Sequence, residues 1–528
     1  MTSGNRAGLR AWVLVLLAVL LAAILAVPLL AVEIPPVLDY PNHLARGWLL
    51  VHLHDDPGLA RMYAPHWAII PNLATDLMLP ALIGMLPLHL AGRLVLLAAL
   101  LAPLGGVALY QRALFGTRSA WPLAAALVAY NCAFLTGLLN FLFGVAVAFA
   151  VAAAWIRWRE SRPGLTVAAA AGGMVVVFFC HLTALALAGA LIAGQEVEHL
   201  RPRDWRGAAA RVPALIGSIV PVFVLFVFSS TGRAAGAPGW MLWNKLFFTV
   251  APFVNYDLVV DGATGIGFVL LVVVALRKGW LMLPRSTAIA GLILLVLFLI
   301  SPFRIKGGAF FDLRFAIMLG YLAFAGLRES PALAGRSLAI AGAGLAAVFG
   351  VRMAILGFAW SEQAADVASM RAVIGGIAPG SRVLVATVYS DDAPGWWQRG
   401  ALVRMLDGRI VTDDNLPCLA LIERGALVQT LFTDPSQQPI EVLPAYRDSA
   451  SLTAQWGPPS YTLLAGPRVP EDERRFPYLA DWPSHYDTVL VMNAGGMAER
   501  ERFLPGRLVP MGHNDLAALF RIQRPEAP

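Results

Sequence analysis

Apolar residues in most of this chain neither alternate nor recur every third or fourth position; they run on without interruption. From Ala11 to Val32 no residue is charged. Runs of this length and polarity predict membrane-spanning helices. Spans are expected near 10–32, 89–111, 119–136, 138–156, 164–179, 181–198, 211–229, 264–276, 284–301, 313–327 and 336–359, eleven in all. The break at Phe179-Cys180-His181 divides the 164–198 stretch into a tight helical hairpin. Arg6 and Arg10 precede the first run as in a signal peptide. The run is too long for the apolar core of such a peptide, however, and no small-x-small cleavage site follows, so it reads as an uncleaved first span.

The pattern changes after residue 360. Glu362 to Ile374 has helical spacing, and Pro379-Gly380-Ser381 makes a turn. Arg382 to Val388, Thr488 to Met492 and Leu516 to Ile522 read as strands. Polar turns at Ser390-Asp391-Asp392 and Asp413-Asp414-Asn415 separate them, and Gly512-His513-Asn514-Asp515 reads as the turn before the last strand. The sequence therefore divides into a transmembrane domain, 1–360, with an outer loop at 33–88, and a small α/β domain, 361–528.

Composition agrees. The chain is 58% hydrophobic and 14% charged, against about 25% charged for a soluble domain, and its mean hydropathy is +0.67. The net charge of +7 is unevenly spread: from Ser361 onward there are 15 Arg, no Lys and 20 acidic residues. The basic excess lies scattered in short loops, which excludes a nucleic-acid face and fits cytoplasmic anchoring. With the N-terminus in the cytoplasm, the loops carrying Arg112 and Arg118, Arg157 to Arg162, Arg201 to Arg211, Arg277 to Arg285, and Arg328 and Arg336 all fall inside. An odd number of spans then puts residues 361–528 outside, as expected of a periplasmic domain on a bacterial inner-membrane protein. Cys132, Cys180 and Cys418 have no metal-ligand spacing, and an odd count gives no disulfide framework.

Three outer segments are long. The first holds Leu38-Asp39-Tyr40-Pro41-Asn42-His43-Leu44-Ala45-Arg46, then Pro71 to Asp76 and an apolar helix, 73–86, expected to lie in the membrane interface. The second, 230–263, contains Trp240, Trp243, Lys245 and Asn255-Tyr256-Asp257. The third runs from Phe303 to Asp312 with Arg304, Lys306, a glycine pair, and then Arg314.

A long first span, an acid just past its end, interfacial helices in the outer loop, many further spans and an extracytoplasmic tail resemble the GT-C class of membrane glycosyltransferases. The resemblance is architectural and covers residues 10–359. It implies transfer of a sugar from a polyprenyl-phosphate donor to a lipid, glycan or protein acceptor outside the cytoplasm. It places Asp39 where that class carries its catalytic acid, although Tyr40 stands where a second acid is common.

Transfer to a hydroxyl needs a base, and a carboxylate at a partly dehydrated surface is a good one. The bland reading of Asp39 is an N-cap ahead of a proline at an early helical position. A lipid phosphate leaving group needs cations rather than a proton. Arg304, Lys306 and Arg314, with Lys245 and Arg46, are candidates, each also able to anchor headgroups. His43, Asp76, His181 and Asp312 complete the expected substrate-binding set. His43 shares a helical face with Asp39, so Asp76 folded back would make an optional divalent-cation site; the sequence specifies no other cofactor. Trp396-Trp397 could stack on a sugar. A lipid or solute transporter and a non-catalytic envelope protein are the alternatives, but the first expects ionisable groups at mid-membrane.

Overall fold

The computed structural model describes residues 3–200, 205–233, 236–306, 308–331, 333, 335–388, 413–450, 457–494 and 507–524. The Trp396-Trp397 pair and the Ser390-Asp391-Asp392 turn lie outside them. Two compact units interleave along the chain: residues 1–31, 71–74 and 96–357 in one, and residues 32–70, 75–95 and 358–528 in the other.

The first unit is helical. Among the described residues, seven helices of the chain are long and apolar enough to cross a membrane: Ala11–Ala31, Leu88–Phe115, Leu139–Trp158, Pro163–Cys180, Arg211–Phe228, Leu258–Arg277 and Arg336–Ile374. The chain is a multi-pass membrane protein. Phe223, Val259 and Ile300 are each more than half exposed, as expected of helices whose outer faces meet lipid rather than water. The shorter helices Ala184–Glu198 and Phe311–Ala325 are mostly buried. Ala184–Glu198 packs on Arg285–Ile300. Gly194 makes that approach possible, because a Cβ there would lie 2.3 Å from the Ser286 carbonyl oxygen.

The stretch 119–136 is not one helix as expected. Trp121–Val128 is a 3-10 segment, and the helix Cys132–Thr136 starts afresh. Asn131 causes the restart: its side chain accepts from the Phe134 amide and donates to the Val128 carbonyl and Tyr321 Oη. Local side-chain bonding of this kind competes with a continuous helix. Deeper in the unit, Arg352 and Asp261 form a buried pair at 2.5 Å. The Asn255 amide and the Phe253 carbonyl share its remaining capacity.

The second unit contains a five-stranded sheet with strand order Leu427–Val428, Arg382–Thr387, Thr488–Met492, Ala517–Ile522, Leu508–His513. The first three strands run parallel; the last two pair antiparallel. The three expected strands are present. Gly512 and His513 end a strand, so the turn begins two residues later than its motif suggests. The span at 336–359 and the helix at 362–374 are one uninterrupted helix, Arg336–Ile374, because no proline or glycine pair separates them. Residues of the loop 33–88 pack into this unit: Leu49, Leu53, Leu59 and Met62 share a core with Cys418, Leu421, Leu431 and Ile440. Tyr63–Pro65 adds an antiparallel pairing to Ile440–Val442.

Candidate functional site

Asp39 ends the loop that leads into the helix Tyr40–His52. Pro41 fits the first turn, where an amide would have no acceptor in any case. The Asp39 carbonyl accepts the first helical bond, from His43 at 3.0 Å. Its carboxylate does not cap the helix, so the cap role drawn from the sequence is corrected. Asp39 has αR geometry, φ −86° and ψ −1°, whereas a capping side chain needs the extended backbone that reaches back to the second or third amide.

The carboxylate instead meets the segment 413–432. Asn415 Nδ2 donates to Asp39 Oδ1 at 3.1 Å. Asn415 Oδ1 accepts from Asn42 Nδ2 at 2.9 Å, and Asn42 also donates to the Thr430 carbonyl and accepts from the Phe432 amide. Asn42 is fully buried, and every polar atom of its amide has a partner, as burial demands.

Four residues further along the same helix than Asn42, Arg46 makes a bidentate pair with Asp76. Nε lies 2.5 Å from Oδ1 and Nη2 3.2 Å from Oδ2. Nη2 also lies 3.0 Å from His43 Nδ1, and Thr75 Oγ1 lies 3.2 Å from the same nitrogen. A guanidinium only donates, so His43 Nδ1 accepts and the neutral ring carries its proton on Nε2. Burial pushes the Asp76 carboxyl up from its ordinary range, and the Arg46 charge and hydrogen bonds oppose that rise.

The optional cation site does not fit these residues. A fixed positive charge stands between His43 and Asp76, and no three His, Cys, Asp or Glu of the described residues gather as a metal set. Gly47 seats the helix, since a Cβ there would fall 2.8 Å from Leu79 Cβ on the helix Ala74–Ile83. Asp76 also lines a cavity of about 440 Å³ with Leu50, Leu53, Pro65, Leu77 and Pro80.

In the helical unit a second group forms around Phe141. Arg314 is stacked on the Phe311 and Phe141 rings and donates to the Ala309 carbonyl. His181 meets the Phe141 ring edge-on, with centroids 5.8 Å apart. It lies in the break between Pro163–Cys180 and Ala184–Glu198, in extended backbone. The Thr183 amide donates to His181 Nδ1, so its neutral ring too presents Nε2–H. Gly144 admits this arrangement: a Cβ there would fall 2.7 Å from Ala184 Cβ.

The two expected lysines are held by protein oxygens. Lys245 Nζ donates to the Phe298 and Ser301 carbonyls and to Asp312 Oδ2. Lys306, at φ +48°, donates to the Gly232 and Thr231 carbonyls. Arg304 pairs its backbone with Gly239 and lies over the Phe303 ring. Asp257 caps the helix Leu258–Arg277. Sequence reading did not single out Asn42, Asn415 or Thr75. The only trace was an amide inside an unusually polar motif and a second amide in a turn.

No family model matches the sequence, and no curated protein does. Among solved structures, the chain is similar to the crystal structure of ArnT from Cupriavidus metallidurans bound to undecaprenyl phosphate. Sequence identity is 14%, the TM-score is 0.50, and the likeness covers 97% of this chain and 98% of that one. The fold is thus ArnT-like, with the GT-C-like architecture expected from the sequence.

Proposed function

We propose that this protein is a membrane glycosyltransferase that moves a sugar from a polyprenyl-phosphate donor to an acceptor hydroxyl outside the cytoplasm. Asp39 acts as the base. The acceptor oxygen attacks the anomeric carbon, its proton passes to the Asp39 carboxylate, and the bond to the lipid phosphate breaks with inversion. The leaving group departs as polyprenyl phosphate and needs no proton. We assign Arg304, Lys306 and Arg314 to the donor phosphate, and the Nε2–H of His181 to the donor, on the chemistry of their side chains. Lys245 and Asp312 brace the segment that carries Arg314. His43, Arg46 and Asp76 hold the Asp39 helix and the adjoining surface.

The observation that carries this reading is the release of the Asp39 carboxylate from capping: it is ordered by an amide outside its own helix. The fold likeness to a protein bound to undecaprenyl phosphate supports a polyprenyl-phosphate partner. The test compares wild type with Asp39→Asn in native membranes, which supply acceptor, using undecaprenyl-phosphate hexoses and pentoses with radiolabelled sugar. Lost transfer at an unchanged unfolding temperature supports the base; equal transfer removes it.

A further inference from the structure

We infer that Asn415 is a positioning residue for Asp39, and that the backbone at 430–432 sets its orientation through Asn42. The inference rests on the reading of Asp39 as the base. Amide oxygen and nitrogen are ordinarily hard to tell apart, but here the chain of partners assigns them.

The Phe432 N–H can only donate, so the Asn42 atom 2.7 Å from it is Oδ1. The Thr430 carbonyl can only accept, so the Asn42 atom 3.0 Å from it is Nδ2. That nitrogen also faces Asn415 at 2.9 Å, which must present its oxygen. The remaining end of Asn415 is therefore the NH₂ group, and it points at the Asp39 carboxylate at 3.1 Å.

The relay has two consequences. It fixes the rotation of a carboxylate that its own helix leaves uncapped. It also gives the charged form of that carboxylate a donor which the protonated form does not need, and a hydrogen bond to the charged form favours it. A base held ionised in one orientation is ready to take a proton from the acceptor. The segment after residue 358 would thus contribute to the chemistry through one amide.

The experiment measures the titration of Asp39 itself in the full-length protein. Infrared spectra of the protonated-carboxyl band are recorded against pH, and the Asp39→Asn spectrum is subtracted to isolate one group. Asn415→Ala should raise that titration by about one pH unit. It should also move the acidic limb of the transfer rate upward in pH and lower the rate about tenfold. Asn415→Asp, which sets a like charge beside Asp39, should raise the titration further. Asn42→Ser frees the Asn415 amide to turn over and should give a smaller rise. It also serves where Asn415→Ala fails to fold.

An Asp39 titration unmoved in both Asn415→Ala and Asn42→Ser overturns the inference. If Asp39→Asn keeps full transfer, the base reading fails instead, whatever Asn415 does.

Discussion

Arg46 and Asp76 form a two-pronged ion pair in which neither side chain is more than 2% exposed. Thirty positions separate them in the chain, and the pair fastens the helix Tyr40–His52 to the helix Ala74–Ile83. Removing one member of such a pair strands the other's charge away from water. Asp76→Ala is expected to destabilise by about 3–5 kcal/mol, whereas replacing both residues with apolar ones of similar volume should cost far less. Thermal unfolding of Asp76→Ala, Arg46→Met and the double Arg46→Met/Asp76→Leu variant in detergent checks this. Equal losses in all three would show that the pair is not what holds the helices.

Gly92 and Tyr40 predict a second coupling. A Cβ at Gly92 would lie 2.1 Å from Tyr40 Oη and 2.9 Å from Leu44 Cδ1. The hydroxyl is buried with no hydrogen-bond partner among the described residues. Gly92→Ala should therefore destabilise by about 1–3 kcal/mol through overpacking. Tyr40→Phe alone should be near neutral, since it deletes an unsatisfied group. In the Tyr40→Phe background the cost of Gly92→Ala should shrink, a non-additivity that a double-mutant cycle reads directly. Additive losses would place the steric conflict elsewhere.

These two contacts show what the sequence could and could not reveal. The long apolar runs announced a multi-pass helical protein, of whose eleven expected spans seven helices among the described residues have the length and polarity to cross, and β-rich segments at 382–388, 488–492 and 516–522 announced the sheet, because both follow from local periodicity. Asp39, His43, Arg46 and Asp76 stood out as a polar group beside a span. What they would touch did not. Arg46 was expected to meet a phosphate, yet its guanidinium bonds Asp76 and His43. Asn415 lies 376 residues from Asp39, and no local pattern encodes so distant a pairing. Likewise the break at 119–136 turned on one asparagine within an apolar stretch, where the weight of hydrophobicity hides a single side-chain bond.

His181 yields a prediction from its tautomer. Nδ1 accepts from the Thr183 amide at 3.2 Å and lies 2.8 Å from Thr183 Oγ1, which leaves Nε2–H as the donor of the neutral ring. Asparagine places an oxygen near Nδ1 but nothing at Nε2. His181→Asn should keep the wild-type unfolding temperature and weaken binding of undecaprenyl phosphate about tenfold, the loss of one hydrogen bond to a charged group. His181→Ala should lose binding and some stability together. Equilibrium binding of undecaprenyl phosphate to detergent-solubilised protein, beside a melting curve, separates the two. Unchanged affinity in His181→Asn would confine His181 to a structural role.

Asp487 supplies the pH dependence. Burial works against its charge. Hydrogen bonds from the Arg382 side chain and amide, with the charges of Arg382 and Arg524, outweigh burial and hold the carboxyl below its ordinary range. The folded state thus binds this proton less readily than the unfolded chain, whose aspartate titrates near about 3.9. The sign follows: the stabilisation is fully present above about pH 3.9 and is lost as pH falls through the lower folded value. The pair is partly exposed, so the effect is small and screened by salt. The unfolding temperature of wild type should exceed that of Asp487→Asn by a constant margin from about pH 5 to 7. The margin should narrow below about pH 3.9 and shrink throughout at high ionic strength. A margin that widened on acidification would mean that the carboxyl is protonated in the fold, and would reverse the assignment of Arg382 as its dominant partner.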